Sequence, residues 1–577
     1  DSNLGSTNGS GDYSIGDTIN LSATRSGSNS FLAWATSTDP NTMEILSTST
    51  TYSFELTSDS PTTYYALFNS TTTTRQTVGD LIYTFYNEAK LASVTDTTST
   101  SLSGALEIPS VVSSGGNSYK VYSIGNYAFS TCRSLTSITI PEGVTSIGNG
   151  AFSSCSDLTS ITIPEGVTSI GTSAFYGCTG LQAFYGPGNA YYTIDDNKAL
   201  IIDSGKTFLA YAAANPATSY SIPEGVTSIG DDAFRDCSSL TSITILLEGV
   251  TSIGQSAFRG CSGLTSISLP STLTSIGNNA FRECSSLTSI TIPEGVTSID
   301  GYAFSGCTSL ASVIFSGGGK IKSIQEYTFY ECSSLAEFTI PETVTSIGSY
   351  AFAGCTSLSS INMPSKLTSI GNGVFRVCTK LESFTGVGNT YYRIDDNRAL
   401  IIDNGRTLYA YAAANTKESY VIPSTITKIE DASFYECAYL RSITIADNVT
   451  SIGNDAFYNC KALTTVTFGT AGKLTSIGEY AFNGCSSLTD LVLPSGLKTI
   501  NSAAFQSCTN LKSLTIPSTV KNIYSFALNS CNSLRTIVIE SGSSLSNSFS
   551  ILGLSGNWYK NGSKVTKFSG AGTYTKR

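Results

Sequence analysis

Apolar and polar positions follow one fixed order that recurs many times between residues 120 and 540. In LTSITIPEGVTSIGNGAFSSC at 135–155, the isoleucines of SITI alternate with Ser and Thr. This alternation predicts a short strand with one buried and one exposed face. Pro141 ends the strand, because proline has no N–H for the next ladder hydrogen bond. The following V-x-x-I supplies a second inward stretch, and A-F-x-x-C has the spacing of one helical turn.

Cysteine marks the period of this pattern. The chain has 15 cysteines, and they are evenly spaced except for two long gaps, one between Cys178 and Cys237 and the other between Cys378 and Cys437. The regular spacing lies within the range of about 20–30 residues that indicates a solenoid of stacked coils. One coil buries about eight apolar side chains at roughly 2 kcal/mol each, while ordering its residues costs about 1.5 kcal/mol apiece, so neighbouring coils must supply the remaining stability. We expect nearly all cysteines to be free, because stacked thiols with parallel Cβ vectors suit a disulfide poorly.

The pattern L-x-x-I-x-I-P-x-x-V-x-x-I-x-x-x-A-F-x-x-C over residues 119–540 resembles the BspA-like leucine-rich repeats of bacterial surface proteins. The resemblance implies a mainly β fold with short helical turns. It also implies a curved leucine-rich-repeat solenoid with a parallel sheet on its concave side. A secreted or surface-attached location and a role in adhesion or host-protein binding follow from the same resemblance.

The flanking segments differ from the repeats. Residues 1–12 are rich in Ser, Gly and Asn and predict a flexible tether. Residues 13–69 resemble the divergent internalin-type B-repeats, small β modules, with Trp34 at the usual aromatic position. Residues 70–118 are interpreted as a linker and a cap over the first coil, and residues 541–577 as a C-terminal cap, because the end coils of a solenoid otherwise expose apolar surface.

The two long gaps contain nearly identical insertions at 186–216 and 386–416, called the islands below. Each has an IDDN sequence and a D-S-G-K or D-N-G-R turn, which predicts a β-hairpin between ordinary coils. Asp195 and Asp395, with the Asp and Asn that follow each, raise the hypothesis of a calcium site. Asx turns explain the same residues, whose spacing is not that of an EF-hand.

Tyrosine is concentrated in the islands and suits recognition, because it combines a large ring with a polar tip. The alternative is that about half of these rings pack beneath the hairpin. The candidate ligand contacts in the islands are Tyr191, Tyr192, Tyr211, Tyr391, Tyr392, Tyr409 and Tyr411.

The outward positions of the predicted long strands are mostly Ser and Thr, which form strands readily and stay soluble. Charge enters this face mainly towards the C-terminal end of the array, which favours specific protein contact there. The candidate contacts on this face are Glu382, Arg441, Asp490, Lys512 and Arg535.

Composition excludes several functions. The chain has 577 residues, a net charge of −10 and no histidine. Without histidine there is no Ser-His-Asp or Cys-His nucleophile and no His-ligated zinc. The acidic balance argues against nucleic acid and anionic membranes as partners, and no apolar stretch is long enough to span a bilayer. Asp203 and Asp403 are better explained by turns than by glycoside hydrolysis. We therefore predict no catalytic residues, no cofactor and no bound metal.

The leading hypothesis from the sequence is an extracellular or cell-surface, non-enzymatic and monomeric protein. In this interpretation it is an adhesin-like scaffold that engages a protein of a host or of a neighbouring cell. A second hypothesis is a glycan-binding surface protein of a polysaccharide-uptake system, favoured by exposed, co-planar aromatic rings. A third is a passive surface spacer with no ligand.

Overall fold

In this computed structural model the chain forms two compact units, Asp1–Leu273 and Thr274–Arg577. In both units it winds into stacked coils, each with a long strand, a short strand and a turn segment, which confirms the predicted fold class. The described residues are 5–26, 30–61, 63–69, 73–245, 249–470 and 472–577.

The long strands come from the S-I-T-I part of each coil. Neighbouring long strands pair in parallel, with Ser137 opposite Ser160 and Ile138 opposite Ile161. Equivalent side chains therefore form columns, one buried and one exposed. In the first unit the long strands are Leu135–Thr139, Ser160–Thr162, Ala183–Tyr185, Ser219–Ile222, Ser242–Ile245 and Ser266–Ser268. In the second they are Ser289–Ile292, Ser312–Phe315, Glu337–Thr339, Ser360–Asn362, Ser383–Thr385, Ser419–Val421, Ser442–Ile445, Thr465–Phe468, Asp490–Val492, Ser513–Ile516 and Thr536–Ile539.

The short strands come from the V-x-x-I stretch and form a second parallel ladder, with Ser146 opposite Ser169. Their second residue is the inward-facing one. In the first unit they are Ser146–Ile147, Ser169–Ile170, Ser228–Ile229 and Ser252–Ile253. In the second they are Ser275–Ile276, Ser298–Ile299, Ser323–Ile324, Ser346–Ile347, Ser369–Ile370, Lys428–Ile429, Ser451–Ile452, Ser476–Ile477, Thr499–Ile500 and Asn522–Ile523.

The A-F-x-x-C turn segment is a run of hydrogen-bonded turns, and the predicted helical turn is absent. The N–H groups of Gly150, Phe152 and Ser154 donate to carbonyls of the next coil at 3.0, 2.8 and 2.5 Å. Gly150 and Ser154 have left-handed φ values of 57° and 60°. Because every second N–H bonds to the neighbouring coil, the continuous bonding of an α-helix cannot form. Among the described residues the only helix is a short 3-10 turn at Ser316–Gly318.

Phenylalanine and cysteine of the turn segments form the centre of the core. Phe281, Phe304 and Phe329 stack nearly in parallel, with ring centroids 5.3 and 5.5 Å apart. The thiols of Cys307 and Cys332 donate to the carbonyls of Phe281 and Phe304 at 3.0 and 3.2 Å. All 15 cysteines are free and buried, as predicted. Cysteine thus fills a small core position and also supplies a hydrogen-bond donor to the preceding coil.

The N-terminal module contains two antiparallel three-stranded sheets that share a core around Ala23, Trp34 and Phe68. Its first strand pairs with the second, with Gly5 opposite Arg25, so the predicted tether is wrong for residues 5–8. Residues 1–4 of that tether lie outside the described residues. The strands of one sheet are Gly5–Asn8, Thr18–Arg25 and Thr51–Glu55, and those of the other are Ser30–Ala35, Ile45–Ser47 and Tyr65–Asn69.

Strands at both ends extend the ladders, in the manner expected of caps. In the first unit Leu91–Thr97 and Asn117–Ile124 pair in parallel and lead into the short ladder. In the second unit Gly572–Lys576 pairs antiparallel with the last long strand. The other N-terminal strands here are Thr74–Val78, Leu81–Tyr86, Gly104–Glu107 and Val111–Ser114, and the other C-terminal ones are Trp558–Lys560 and Ser563–Val565. Positions 70–72 of the predicted linker lie outside the described residues, and the boundaries drawn from the sequence stay predictions.

Each island forms an antiparallel meander that contains the predicted hairpin. The third strand of each meander then pairs in parallel with the next short strand, Phe208 lying opposite Ile229 and Leu408 opposite Ile429. The last strand of each island therefore takes the place of a short strand in the ladder, while the rest of the island is an insertion between coils. The island strands are Thr193–Ile194, Leu200–Ile202 and Thr207–Ala210, and Arg393–Ile394, Leu400–Ile402 and Thr407–Ala410. Among the described residues no helix is long and apolar enough to cross a membrane.

We expect Ellman's reagent at pH 8 to find almost no reactive thiol in the folded protein. After unfolding in guanidinium without reductant it should find close to 15, because the thiols are free but enclosed by the core. An unfolded count near one would mean that the cysteines are paired and would contradict this expectation.

We also expect stability to fall steeply at alkaline pH. Burial raises the pKa of Cys178 and Cys307 to about 12. In the unfolded chain these thiols ionise near pH 8.5, whereas in the folded protein they stay protonated up to about pH 12. The contribution of the buried thiols to the free energy of unfolding is therefore complete below about pH 8.5 and is lost as the pH rises towards 12. Each such thiol contributes a slope of about 1.4 kcal/mol per pH unit in that window.

Thermal melting from pH 7 to 10.5 measures this effect. The double variant Cys178→Ala/Cys307→Ala should start from a lower melting temperature at pH 7 but lose less of it by pH 10.5. Equal slopes in the variant and the parent protein would show that buried thiols do not cause the alkaline loss.

Candidate functional site

The island tyrosines Tyr192 and Tyr392 lie inside the protein, with 0% and 1% of their surface exposed. Their hydroxyls donate to the carbonyls of Ile163 and Met363, at 2.7 and 2.8 Å. Each therefore ties its island to an earlier coil.

Tyr191 and Tyr391 are half-buried. Their hydroxyl oxygens accept hydrogen bonds from the backbone N–H groups of Ile170 and Ile370, at 3.1 and 3.2 Å. These N–H groups belong to the last short strand before each island, whose edge is otherwise unpaired. The tyrosines cover an exposed strand edge, which is a structural task.

Tyr211 and Tyr411 occupy the position that phenylalanine holds in ordinary coils. Their rings stack on Phe234 and Phe434, with centroids 5.5 and 5.2 Å apart. Both rings are buried, and neither hydroxyl has a hydrogen-bond partner within the described part of the chain. Cavities of about 30 and 20 Å³ lie beside them, each with room for about one water.

Tyr409 is also buried, and its hydroxyl contacts the carbonyl of Gly371 and the N–H of Val374. Five of the seven predicted island contacts are thus enclosed: Tyr192, Tyr211, Tyr392, Tyr409 and Tyr411. A contact patch needs exposed rings, so that hypothesis fails for these five. Their burial favours the alternative, in which about half of the island rings pack inside the protein.

The acidic residues of the IDDN sequences are engaged in hydrogen bonds. Asp195 accepts the hydroxyl of Tyr220 at 2.5 Å and the N–H of Ala199 at 2.8 Å, and Asp395 has the equivalent pair of bonds. Burial and the bond to Asp195 raise the pKa of Tyr220. The Asx-turn account is supported. No group of three or more acidic or cysteine side chains suited to a metal occurs among the described residues.

The five charged residues predicted on the exposed side of the long strands are all at the surface; Asp490 lies in a long strand, and each of the other four directly precedes one. The surface formed by these five residues and the outward Ser and Thr positions of the long strands is called the strand face below. Arg441 forms an exposed ion pair with Glu418 at 3.2 Å. Lys512 and Arg535 are neighbours in one column, because the Arg535 N–H donates to the Lys512 carbonyl. The five exposed positions are Glu382, Arg441, Asp490, Lys512 and Arg535. They stay candidate contacts.

A second surface, missed in the sequence, lies on the turn segments of the second unit. Tyr327, Tyr330, Tyr350, Arg376 and Tyr435 line an open groove of about 710 Å³, called the tyrosine cleft below. This volume is within the range of ligand-binding clefts.

One wall of the tyrosine cleft is a stack of tyrosines that begins at Tyr302. The ring centroids of Tyr302 and Tyr327 are 4.6 Å apart, and those of Tyr327 and Tyr350 are 5.1 Å apart. All three residues have φ values between 55° and 58° at the same position of the turn segment. Tyr350 lies over Gly373, where a Cβ atom would be 2.7 Å from the ring. Stacking and this left-handed turn position restrict the side-chain conformations of the three tyrosines. Binding of a ligand would therefore cost little side-chain entropy.

The opposite wall of the cleft is built from Arg376 and Tyr435. The guanidinium of Arg376 lies 5.0 Å from the centre of the Tyr435 ring and 3.2 Å from the carboxylate of Asp455. Tyr435 stacks in turn on Tyr458. The arginine charge is therefore already balanced, and the exposed Glu331 leaves the cleft slightly acidic.

Small residues form the floor between these walls. Ala353 and Gly354 occupy the positions at which the preceding coil has Tyr330 and Glu331. The cleft thus exists because one coil has short side chains between neighbours with long ones. The signal in the sequence was the recurrence of tyrosine two residues before the core phenylalanine, at 302, 327 and 350.

The first unit has a related arrangement at its own island. Arg235 lies 4.2 Å from the centre of the Tyr176 ring and pairs with Asp232 at 3.2 Å. Tyr176 and Arg235 stand at the positions that Arg376 and Tyr435 hold around the other island, so the order of tyrosine and arginine is exchanged. In both islands a cation–π pair joins the coils on either side of the insertion.

A family model for the BspA-type leucine-rich repeat region matches residues 114–198, 209–321, 318–397 and 407–535, in six copies. The chain belongs to the BspA-type leucine-rich repeat family. The matched residues begin at 114, so the resemblance of 13–69 to internalin-type B-repeats stays a prediction.

Several solved structures are similar to this BspA-type chain. A leucine-rich cell surface protein from Faecalibacterium prausnitzii A2-165 is 29% identical, with 82% of this chain and 95% of that one covered and a TM-score of 0.43. A leucine-rich repeat protein from Bacteroides ovatus is 26% identical, with 80% and 94% covered and a TM-score of 0.33. One from Eubacterium ventriosum is 26% identical, with 65% and 93% covered and a TM-score of 0.42. No curated protein matches the chain.

The hydroxyls of Tyr411 and Tyr420 should differ in their effect on stability. Tyr420→Phe removes a 2.6 Å hydrogen bond to Asp395 and should cost about 1–2 kcal/mol of unfolding free energy. Tyr411→Phe removes a hydroxyl without a partner and should change stability by less than about 0.5 kcal/mol. Guanidinium denaturation compares the two variants, and equal losses would contradict the assigned hydrogen bonding.

Proposed function

We propose that this chain is a non-enzymatic bacterial surface scaffold that binds a protein of a host or a neighbouring cell, in the manner of an adhesin. The observation that carries the proposal is the tyrosine cleft, an open groove with tyrosine and arginine walls on a stacked-coil frame. Membership of the BspA-type family supports the scaffold role.

The chemistry of the cleft favours a protein partner. Tyrosine and arginine are enriched among the residues that dominate binding energy in protein interfaces. Tyr330 and Tyr350 offer ring surface with polar tips, and the floor at Ala353 and Gly354 leaves depth for one inserted side chain. Because Arg376 is balanced by Asp455, a neutral or basic partner side chain fits better than an acidic one.

The strand face supplies a second contact surface in this proposal. Its long Ser/Thr columns are uncharged, and its charged positions cluster towards the C-terminal end of the array. Lys512 and Arg535 lie in neighbouring coils and would form a basic pair at the rim of the interface with the partner. Charges at an interface rim contribute more to the association rate than to the affinity.

Binding of immobilised extracellular-matrix and mucus proteins, measured by surface plasmon resonance, tests the proposal. We expect the double variant Tyr330→Ala/Tyr350→Ala to bind a captured protein at least about tenfold more weakly, since two anchor rings are lost. Alanine is compatible with both turn positions, because the chain has Ala353 and Ala432 at the equivalent places.

Tyr480→Ala is the matched control. Tyr480 is 42% exposed and has the same turn position as Tyr350 but does not line the cleft. If the double variant binds the partner as tightly as the parent protein and Arg441→Glu/Lys512→Glu loses binding, the binding site is on the strand face and not in the tyrosine cleft. Failure of the parent protein to bind any protein presented would favour the passive spacer.

A further inference from the structure

The N-terminal module contains a groove that the protein-binding proposal does not use. It has a volume of about 590 Å³ and lies between the segment 7–15, the strand Thr51–Glu55 and the described residues 56–61, 63 and 64. Its size is within the range of small-ligand sites. The module is in the first compact unit, whereas the tyrosine cleft is in the second.

Four aromatic side chains line this groove beside five aliphatic ones: Tyr13, Trp34, Phe54 and Tyr64, with Ile15, Ile19, Leu21, Leu56 and Pro61. Phe54 and Tyr64 lie with ring centroids 4.8 Å apart, and Tyr52 stacks on Phe54 at 5.2 Å with an angle of 24° between the rings. Tyr13 lines the same groove and is 43% exposed. Such rings offer flat apolar area to the C–H faces of a ligand.

The polar groups of the groove are neutral. Among the described residues, none of the side chains that line it is charged. Hydroxyl and amide groups stand beside the rings, including Asn8, Thr57, Ser58 and Ser60. A groove with rings and uncharged donors and acceptors complements a ligand that is itself uncharged and rich in hydroxyls, and it gives a charged ligand no counter-ion.

Trp34 adds an independent observation. Its side chain lines the groove and is only 2% exposed, and its indole N–H has no hydrogen-bond partner within the described residues. Buried donors are almost always satisfied, so an orphaned one needs an explanation. The nitrogen is itself covered, so the indole must turn towards the groove before an oxygen atom of a groove ligand can accept its N–H.

We propose that this groove binds a neutral saccharide of one to three sugar rings. The sugar's C–H faces pack on Tyr13, Phe54 and Tyr64, and its hydroxyls bond to the Ser and Thr groups of the rim. A sugar oxygen accepts the indole N–H of Trp34. An apolar peptide would use the rings but would leave the hydroxyls and the indole N–H without a new partner, so it is the less favoured occupant.

Tryptophan fluorescence gives a direct test, because the chain has only two tryptophans. Trp558→Phe removes the one in the C-terminal cap and leaves Trp34 as the sole tryptophan reporter in the 577-residue chain. Neutral trisaccharides of glucose, mannose, xylose and N-acetylglucosamine are titrated to 20 mM. At least one should shift or quench the Trp34 emission in a saturable manner, and the matched uronic-acid oligosaccharide should not.

Tyr13→Ala and Tyr64→Ala should each weaken the fitted affinity at least tenfold, whereas Tyr127→Ala, an exposed ring outside the groove, should leave it unchanged. Calorimetry with the parent protein and with Trp34→Phe separates binding from the optical signal, and Tyr13→Ala covers the case in which Trp34→Phe fails to fold. The proposal is overturned by a flat titration with every neutral sugar, by equal response to the charged one, or by saturable binding of an apolar peptide alone. The Tyr330→Ala/Tyr350→Ala variant should retain sugar binding, so the two proposals fail independently.

Discussion

The backbone hydrogen bond between neighbouring coils is the interaction on which the rest of the structure depends. Both strands of a coil pair in parallel with the next coil, and every second N–H of the turn segment does the same. A single coil leaves these groups unsatisfied, which is costly in a buried setting. Stacking therefore fixes the spacing at which Phe rings overlap and Cys thiols reach the carbonyl of an earlier Phe. The ends and interruptions of the array must solve the same problem, and Tyr191 and Tyr391 do so by bonding to otherwise free N–H groups.

Stacking also determines what kind of site this fold can offer. Equivalent positions lie above one another, so a recognition surface is made by changing the residues within a column. The tyrosine cleft follows this rule, since Ala353 interrupts the column of Tyr330 and Arg376, and Gly354 interrupts the column of Glu331 and Val377. The N-terminal groove is built differently, from a loop and two small sheets, and its lining has no repeat. The two surfaces therefore differ in construction, which is why we propose a different ligand for each.

Tyrosine shows how far sequence reasoning reaches in this chain. Tyr330 follows the core Phe329 at the first x of F-x-x-C, a repeat position that predicts exposure, whereas Tyr192 lies in an island where no repeat position predicts its burial. Tyr192 is enclosed because the island reverses direction twice and folds over it, while Tyr330 faces outward because its turn segment is an ordinary one. The same limit applies to the turn segment, where the A-F-x-x-C spacing is equally consistent with a helical turn. Only the neighbouring coil, by taking every second N–H, decides against it.

The sequence by itself determined the period, the long strand and the buried column of each coil, and the free state of the cysteines, whereas the second ladder of short strands is a finding of the structure. These features follow from the local alternation of apolar and polar residues and from the repeat period, both of which can be read directly from the sequence. Tertiary structure decided which tyrosines are exposed, where a cleft opens and that residues 5–8 join a sheet. The physical reason is that accessibility depends on what lies beside a residue in space. In a solenoid that neighbour is a full repeat away in the sequence, and in the islands it belongs to an irregular loop.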